Sequence, residues 1–250
     1  MRFENKVVFI TGGAIGFGRA FAKAFTAEGA AVVIADIDVD AGEATAAALR
    51  ADGARAIAVR CDVSDEVAVE AAVARTVEEF GGVDILINNA GLHLLKYNQP
   101  FGVLPRADLR ALFDVNVIGI VNCTIACRPS MSARGGGAVL NISSIAGYMS
   151  TSPYGVSKLA VRGLTIALAT ELAPDRIRVN AIAPGLMGTE NALDGLPEEM
   201  VRDFIENRQL VHRLGLMDDI VNTTLFLCGG QAGFITGETL KVAAGYPLSI

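Results

Sequence analysis

Two residues in this 250-residue sequence have types and spacing suited to acid–base chemistry: Tyr154 and Lys158, in the run Tyr154-Gly155-Val156-Ser157-Lys158. Side chains four positions apart on a helix share one face. A free phenol ionises near pH ~10 and is a poor base at neutrality. A neighbouring ammonium favours the phenolate and brings the group towards the range where proton transfer is efficient. The pair therefore predicts Tyr154 as an acid–base residue with Lys158 as its electrostatic partner. Tyr148 is a second phenol, but it has Ser152 four residues on and so lacks a cation at that spacing.

A second constellation lies near the N-terminus. The apolar run Val7–Ile10 leads into Thr11-Gly12-Gly13-Ala14-Ile15-Gly16-Phe17-Gly18. Glycines at 12, 16 and 18 are expected to allow positive φ and close approach of the backbone to a pyrophosphate. A helix opening near Gly16 would offer its free N–H groups to the phosphates. A strand before and a helix after is the context that gives such a turn meaning. The next strand is expected to end at Asp36, whose carboxylate would accept from adenosine ribose hydroxyls and repel a 2′-phosphate. Neither Ile15 nor Ile37-Asp38-Val39-Asp40 supplies an offsetting cation, so the electrostatics favour NAD over NADP.

These residues need a scaffold. Short apolar runs at Val7–Ile10, Ala31–Ala35, Ala56–Val59, Ile85–Ile87, Ala138–Ile142 and Val179–Ile182 read as buried strands. Helical patterns at Gly16–Glu28, Asp40–Ala51, Asp65–Phe80, Arg106–Ala133 and Ser152–Leu172 alternate with them. The alternation predicts an α/β fold: one Rossmann-type, doubly wound parallel sheet of about seven strands with helices on both faces. No linker divides the chain. Residues 185–212 follow a strand end, mix Gly, Pro and acidic residues, and are expected to form a substrate-covering segment.

Composition removes other classes. The net charge is −6 and the pI about 5.0, which argues against a nucleic-acid partner. Cys61, Cys123, Cys127 and Cys228 form no C-x-x-C pair, and there are only two histidines, so no metal site is expected. Scattered thiols fit a reducing compartment. No run reaches eighteen consecutive apolar residues and the N-terminus shows no leader pattern; the expectation is a cytoplasmic protein without a membrane partner.

With these motifs in hand, the sequence resembles the short-chain dehydrogenase/reductase family along nearly its whole length. The glycine turn follows the TGxxxGxG variant; Asn88-Asn89-Ala90-Gly91 resembles the NNAG signature; Ile142-Ser143-Ser144, the Tyr154–Lys158 pair and Pro184-Gly185 with Thr189 complete the pattern. The resemblance implies that Asp62 and Val63 hold the adenine, and that Asn89, Ala90 and Gly91 line the cofactor. It also implies that Pro184, Gly185, Met187 and Thr189 hold the nicotinamide end, and that Gly12, Ile15, Gly16, Phe17, Gly18, Asp36 and Ile37, with Tyr154 and Lys158, complete the cofactor site. It implies catalytic roles for Asn116, Ser144, Tyr154 and Lys158: Ser144, with Ser143 as the alternative, binds the substrate oxygen, and Asn116 fixes a proton-relaying water. Three departures stand out. The Ser144–Tyr154 spacing is about three residues shorter than usual, the segment after Gly91 is longer, and Val242-Ala243-Ala244-Gly245 replaces Val-Asp-Gly-Gly. His93, in the longer segment, faces either substrate or surface.

The expected reaction is NAD-dependent interconversion of a secondary alcohol and a ketone. A 3-oxoacyl thioester reductase and a catalytically silent dinucleotide-binding sensor are the alternatives. Leu94, Tyr97, Met149, Leu186, Met187 and Leu193 suggest an apolar small-molecule substrate. The resemblance also implies a homotetramer built partly on the two long helices, with Val117, Ile120, Val121, Ala160, Leu164 and Leu168 as interface or core.

Overall fold

The computed structural model describes residues 1–188 and 196–248. Seven parallel strands form its sheet: β1 (Val7–Thr11), β2 (Ala31–Asp36), β3 (Ala56–Arg60), β4 (Ile85–Asn88), β5 (Gly137–Ile142), β6 (Ile177–Pro184) and β7 (Thr239–Val242). Their order is β3-β2-β1-β4-β5-β6-β7. All five residues of β1 and all four of β4 are buried, so the apolar runs that announced these strands reflect cover on both faces. The strand order reverses between β1 and β4, the point at which a doubly wound sheet opens a ligand crevice beyond its carboxyl edge.

The helices are α1 (Gly16–Ala27), α2 (Val39–Ala51), α3 (Glu66–Phe80), α4 (Leu94–Tyr97), α5 (Arg106–Phe113), α6 (Gly119–Ala133), α7 (Ala146–Met149), α8 (Pro153–Leu172), α9 (Glu198–Asp203) and α10 (Met217–Cys228). Phe21 and Phe25 of α1 and Leu225 of α10 pack with Ile10, Ile34, Ile87 and Leu140 on one face. Val69, Cys123, Met131 and Leu172 pack with Phe9, Val33, Leu86 and Val139 on the other. Each such buried side chain contributes about 1.5–3 kcal/mol of transfer free energy, and together they fix the strand ends that carry the chemistry. Asp38 and Asp65 cap α2 and α3, accepting from the backbone N–H groups of Ala41 and of Val67 and Ala68.

The sequence pattern predicts one uninterrupted helix over Arg106–Ala133. The structure instead inserts a π-helical turn at Asp114–Ile118 between α5 and α6. The reason is visible in what that turn presents: it carries Asn116, whose side chain is buried and fully engaged away from the helix. The whole segment has the length and apolarity to cross a membrane by composition alone, but the inner face of α6 covers the sheet through Cys123, Cys127 and Met131. Of the interface candidates, Ile120 and Leu168 are core. The exposed large apolar residues of these helices are Ile118, Ile125, Leu159 and Ile166.

Candidate active site

The strand β5 ends at Ile142 and delivers two serines with different fates. Ser143 is buried and its hydroxyl donates to the carbonyl of Lys158 at 2.9 Å. Ser144 accepts from the N–H of Ala146 at 3.1 Å, and its side chain hydrogen-bonds the phenol of Tyr154. Of the two alternatives, the structure sets Ser144 beside the phenol and turns Ser143 into the scaffold.

The shortened connection to Tyr154 is taken up by the single turn α7. Two glycines make this possible. A Cβ on Gly147 would lie 2.7 Å from the carbonyl carbon of Lys158, and one on Gly155 would lie 2.9 Å from the oxygen of Ala146. Bare backbone therefore packs α7 directly on α8. Ser152 caps α8 by accepting from the N–H of Gly155, and Pro153 opens its first turn. Sequence reasoning missed Gly147 and Gly155; glycines flanking a reactive helix start are the signal that could have found them. Tyr148 is occupied elsewhere: its hydroxyl donates to Thr239 O and the Arg162 guanidinium sits 3.6 Å from its ring centroid.

The side chain of Lys158 is 6 % exposed; its ammonium donates to Ile142 O at 2.8 Å and lies 5.8 Å from the Tyr154 ring centroid. Burial pushes this amine down to about 8. Burial likewise pushes the Tyr154 phenol up to about 12, opposed by the hydrogen bond with Ser144. The expected lowering of the phenol by Lys158 is thus corrected. Desolvation disfavours both charged forms, and the ammonium's hydrogen bond goes to a backbone carbonyl rather than towards the phenol.

Asn116 is 1 % exposed and ties this corner to the end of β4. Its Oδ1 accepts from Leu92 N at 2.7 Å, and its Nδ2 donates to Leu92 O at 3.4 Å and Ser157 Oγ at 3.2 Å. Gly91 passes so close that a Cβ there would be 3.3 Å from Asn116 Oδ1 and 3.6 Å from Lys158 Nζ.

The glycine turn follows β1. Gly12 (φ +60°) and Gly16 (φ +55°) take left-handed backbone, but for different surroundings. A Cβ on Gly12 would be 2.9 Å from Ala90 Cα, whereas one on Gly16 meets nothing within 4 Å. Gly18 departs from expectation: it has no positive φ and lies within α1, and a Cβ there would sit 2.1 Å from Gly12 O. Its role is close packing of helix on turn. Thr11, which sequence reasoning passed over, receives the N–H groups of Asn89 and Ala90 at 3.0 Å each. Asn89 donates to Thr11 O and Gly12 O, so the NNAG segment is stitched to the turn. Asn88 reaches across to Asn141 at 2.9 Å.

At the end of β2, Asp36 accepts from Ala14 N and Asp38 N, each at 3.0 Å, which aims the carboxylate along the turn. Ile15 and Ile37 are exposed beside it, and Phe17 packs on Phe21. Asp62 is held by Ser64, and Val63 is buried with its carbonyl accepting from Asn122. Pro184 ends β6; Gly185 donates to Val242 O. Met187 is buried and lines a cavity of about 250 Å³ with Gln209, Val211 and Val242. Thr189 and Leu193 lie outside the described residues. The turn, the open space at Gly16 and the carboxylate of Asp36 together suit a dinucleotide: two left-handed glycines, one beside open space, and an acceptor placed for a ribose.

Residues 12–247 match the family model described as enoyl-(acyl carrier protein) reductase. The chain belongs to the short-chain dehydrogenase/reductase family. The 3alpha-hydroxysteroid dehydrogenase of Mediterraneibacter gnavus is 38 % identical over 247 residues, covering 97 % of each chain. The cis-4-hydroxycyclohexanecarboxylate dehydrogenase of Sinomonas cyclohexanicum is 38 % identical over 98 % of this chain and 97 % of its own. A solved 7 alpha-hydroxysteroid dehydrogenase, complexed with NADH and 7-oxo glycochenodeoxycholic acid, superposes with a TM-score of 0.91 at 34 % identity, covering 98 % of this chain and 95 % of that one. As a short-chain dehydrogenase/reductase this protein is an oxidoreductase acting on hydroxyl and keto groups of small molecules with a nicotinamide dinucleotide.

Proposed function

We propose that the protein is an NAD-dependent dehydrogenase of secondary alcohols, with Tyr154 exchanging the carbinol proton. The observation that carries the reading is the setting of the Tyr154 phenol between Ser144 and Lys158, at the carboxyl edge of the sheet beside the glycine turn. When bound, the nicotinamide ring supplies the hydride acceptor or donor. Gly12, Gly16 and Gly18 shape the turn that receives the pyrophosphate, Asp62 and Val63 flank the adenine side, and Pro184, Gly185 and Thr189 hold the nicotinamide end. Asp36 takes the adenosine ribose and disfavours a 2′-phosphate, which supports NAD.

Ser144 orients the substrate oxygen towards the phenol. With its pKa pushed up to about 12, Tyr154 holds its proton at neutral pH and is the protonated group that supplies it to the carbonyl oxygen as hydride arrives in ketone reduction. In alcohol oxidation the phenolate must be supplied, and Lys158, 5.8 Å from the ring, is the cation that stabilises it once its ammonium turns from Ile142. Asn116 holds Leu92 and Ser157 in place, which positions the proton path past Lys158. Oxidation is therefore expected to accelerate with rising pH, while reduction proceeds at neutrality.

The relatives named for hydroxysteroids and a hydroxycyclohexanecarboxylate support an alicyclic secondary alcohol as substrate. The description of the matching family model favours, as a second reading, a carrier-bound thioester substrate. Titration with NADH and NADPH separates the two, because such reductases generally take NADPH and Asp36 opposes it. Tyr154→Phe tests the main reading: kcat is expected to fall about 10²–10⁴-fold with the circular dichroism spectrum and NADH affinity unchanged. Turnover within a factor of ten of the parent would sink the assignment. The outward residues Ile118 and Ile125 of the π turn and α6, with Leu159 and Ile166 of α8, repeat at seven-residue spacing and support a homo-oligomer through this face; sedimentation is expected to give a tetramer.

A further inference from the structure

Residues 243–248, which follow β7, lie between two parts of the molecule that the reaction scheme treats separately. One is α7, the turn that joins Ser144 to Tyr154. The other is the segment expected to cover the substrate, which runs through α9 and a second π-helical turn, Phe204–Arg208, to Val211.

That segment has little to hold it from below. Neither α9 nor the turn Phe204–Arg208 buries a side chain. Gln209 and Val211 line the cavity of about 250 Å³ together with Met187, Ala243 and Ala244. A stretch without a core of its own, beside a cavity, takes its position from the bonds at its edge. Gly215, bonded to Leu186 O and Gly188 N, is one such anchor. Ala244 is another: its carbonyl accepts from Leu210 N at 2.8 Å and Val211 N at 3.3 Å. Ala244 (φ +52°) and Gly245 (φ +86°) are both left-handed. For a residue with a Cβ that conformation is disfavoured and persists where its surroundings impose it. A Cβ on Gly245 would be 2.8 Å from Leu210 Cγ, so bare backbone meets this side chain.

Tyr246 touches both parts. Its ring stands edge-on to Phe204, with centroids 5.0 Å apart and planes at 78°. Its hydroxyl donates to Met149 Sδ, at the end of α7, at 3.7 Å. The turn α7 is itself fixed. Tyr148 donates to Thr239 O at the start of β7, and Arg162 donates to Gly147 O at 3.0 Å. Lys241 lies 4.8 Å from the Tyr148 ring centroid and donates to Pro247 O at 2.7 Å. Thus α7, β7 and the residues after β7 form one bonded unit, and Tyr246 is where Phe204 rests on it.

We propose that Tyr246 is a positioning residue that fixes the covering segment relative to the turn bearing Ser144 and Tyr154, and so sets how well the cleft holds the body of a large substrate. The inference rests on Tyr154 being the reaction centre and on the segment covering the substrate. A cover already held in place binds without the cost of ordering it; a loosened one charges that cost to binding and leaves the bond-making groups where they were. The effect therefore belongs to KM, and to substrates long enough to reach the cover.

The test compares cyclohexanol with androsterone, a small and a large alicyclic secondary alcohol, in the intact protein with NAD. Androsterone is read as KM where it is oxidised and as a competitive Ki against cyclohexanol where it is not. In Tyr246→Ala that constant should rise about tenfold, with the KM of cyclohexanol and the kcat values within about threefold of the parent. Tyr246→Phe keeps the ring on Phe204 and should recover androsterone binding to within about threefold of the parent. A role confined to general stability would lower the melting temperature and weaken both alcohols alike. Amide exchange supplies a readout without turnover. In Tyr246→Ala the N–H groups of Leu210 and Val211 should exchange about tenfold faster, with those of the buried strand β1 as the unmoved reference. Equal losses on both alcohols, a loss carried by kcat, or unchanged exchange at Leu210 and Val211 overturns the proposal and leaves Tyr154 in place. Absence of NAD-linked turnover of either alcohol by the parent overturns it along with the reading of the reaction centre.

Discussion

The glycine turn and the catalytic corner sit at the same edge of the sheet but are built on opposite principles. The turn works by missing side chains: at Gly12 and Gly18 any Cβ collides with backbone, and at Gly16 the space is left open. The corner works by side chains that burial penalises, with Lys158 pushed down to about 8 and Tyr154 up to about 12. A site of the first kind carries no such burial penalty, and at Gly12 and Gly18 it has no room for an added atom. A site of the second kind holds free energy against folding and releases it to chemistry.

The largest effect that separates the two principles is within the corner. Ser144→Ala removes the hydroxyl that bonds the phenol and should lower kcat about 10²–10³-fold with little change in melting temperature. Ser143→Ala removes a buried donor to Lys158 O and should cost about 1 kcal/mol in stability, with kcat within severalfold. Steady-state kinetics and thermal melts of both variants decide it; the reverse pattern would mean that the roles of the serines have been exchanged.

In the turn the contrast is steric. Gly18→Ala forces a Cβ to 2.1 Å from Gly12 O and should destabilise by about 3 kcal/mol. Gly16→Ala meets nothing within 4 Å and carries only the strain of a left-handed residue, about 1–2 kcal/mol. Denaturant midpoints give the first comparison. NADH titration gives the second, since an atom at Gly16 intrudes where a phosphate is expected.

How far each region was legible follows from the same difference. Glycines at fixed spacing, a preceding strand and Asp36 are local signals, so the turn and a doubly wound parallel sheet could be anticipated, and the strand runs from Val7 to Ile182 fall where the structure has strands. Only the reason for Gly18 was misread, because packing against Gly12 O is a contact rather than a dihedral preference. Electrostatics at the corner could not be read, because spacing places Lys158 near Tyr154 without revealing that both are desolvated and that Ile142 O takes the ammonium's bond. The π turn at Asn116 was hidden for a related reason: its cause is a side chain bonding to Leu92 and Ser157, outside its own helix.

Lys158 gives a prediction in which stability and function part. Its folded-state pKa of about 8 lies below the ordinary ~10.4, so the unfolded chain binds more protons between those values and stability rises with pH across that window. Below pH 8 the charged amine is a standing penalty of about 3 kcal/mol, offset by about 1 kcal/mol for its bond to Ile142 O. Lys158→Met is therefore expected to melt higher than the parent at pH 7, by the equivalent of about 2 kcal/mol, while losing activity. The advantage should disappear by pH ~10.4. A variant that melts lower at pH 7 would show that the ammonium stabilises the fold and that the corner is not held against folding.

The smallest effect concerns the one charge that belongs to the turn. Asp36 accepts from Ala14 N and Asp38 N, so replacing it with alanine would confound lost scaffold bonds with lost charge. Asp36→Asn keeps an acceptor oxygen and the shape and removes only the charge. If the carboxylate discriminates by repelling a 2′-phosphate at the half-exposed strand end, screening limits its worth to about 1 kcal/mol. The preference for NADH over NADPH should then fall about fivefold to tenfold, chiefly through tighter NADPH binding, measured by the fluorescence of the reduced nicotinamide. Repeating the titration at high salt sharpens the cause. Salt should shrink the parent's preference and leave the variant's nearly unchanged, because only a charge responds to screening. An identical response in both proteins would assign the preference to the shape of the turn, and Asp36 would then join the glycines as part of a site made by geometry alone.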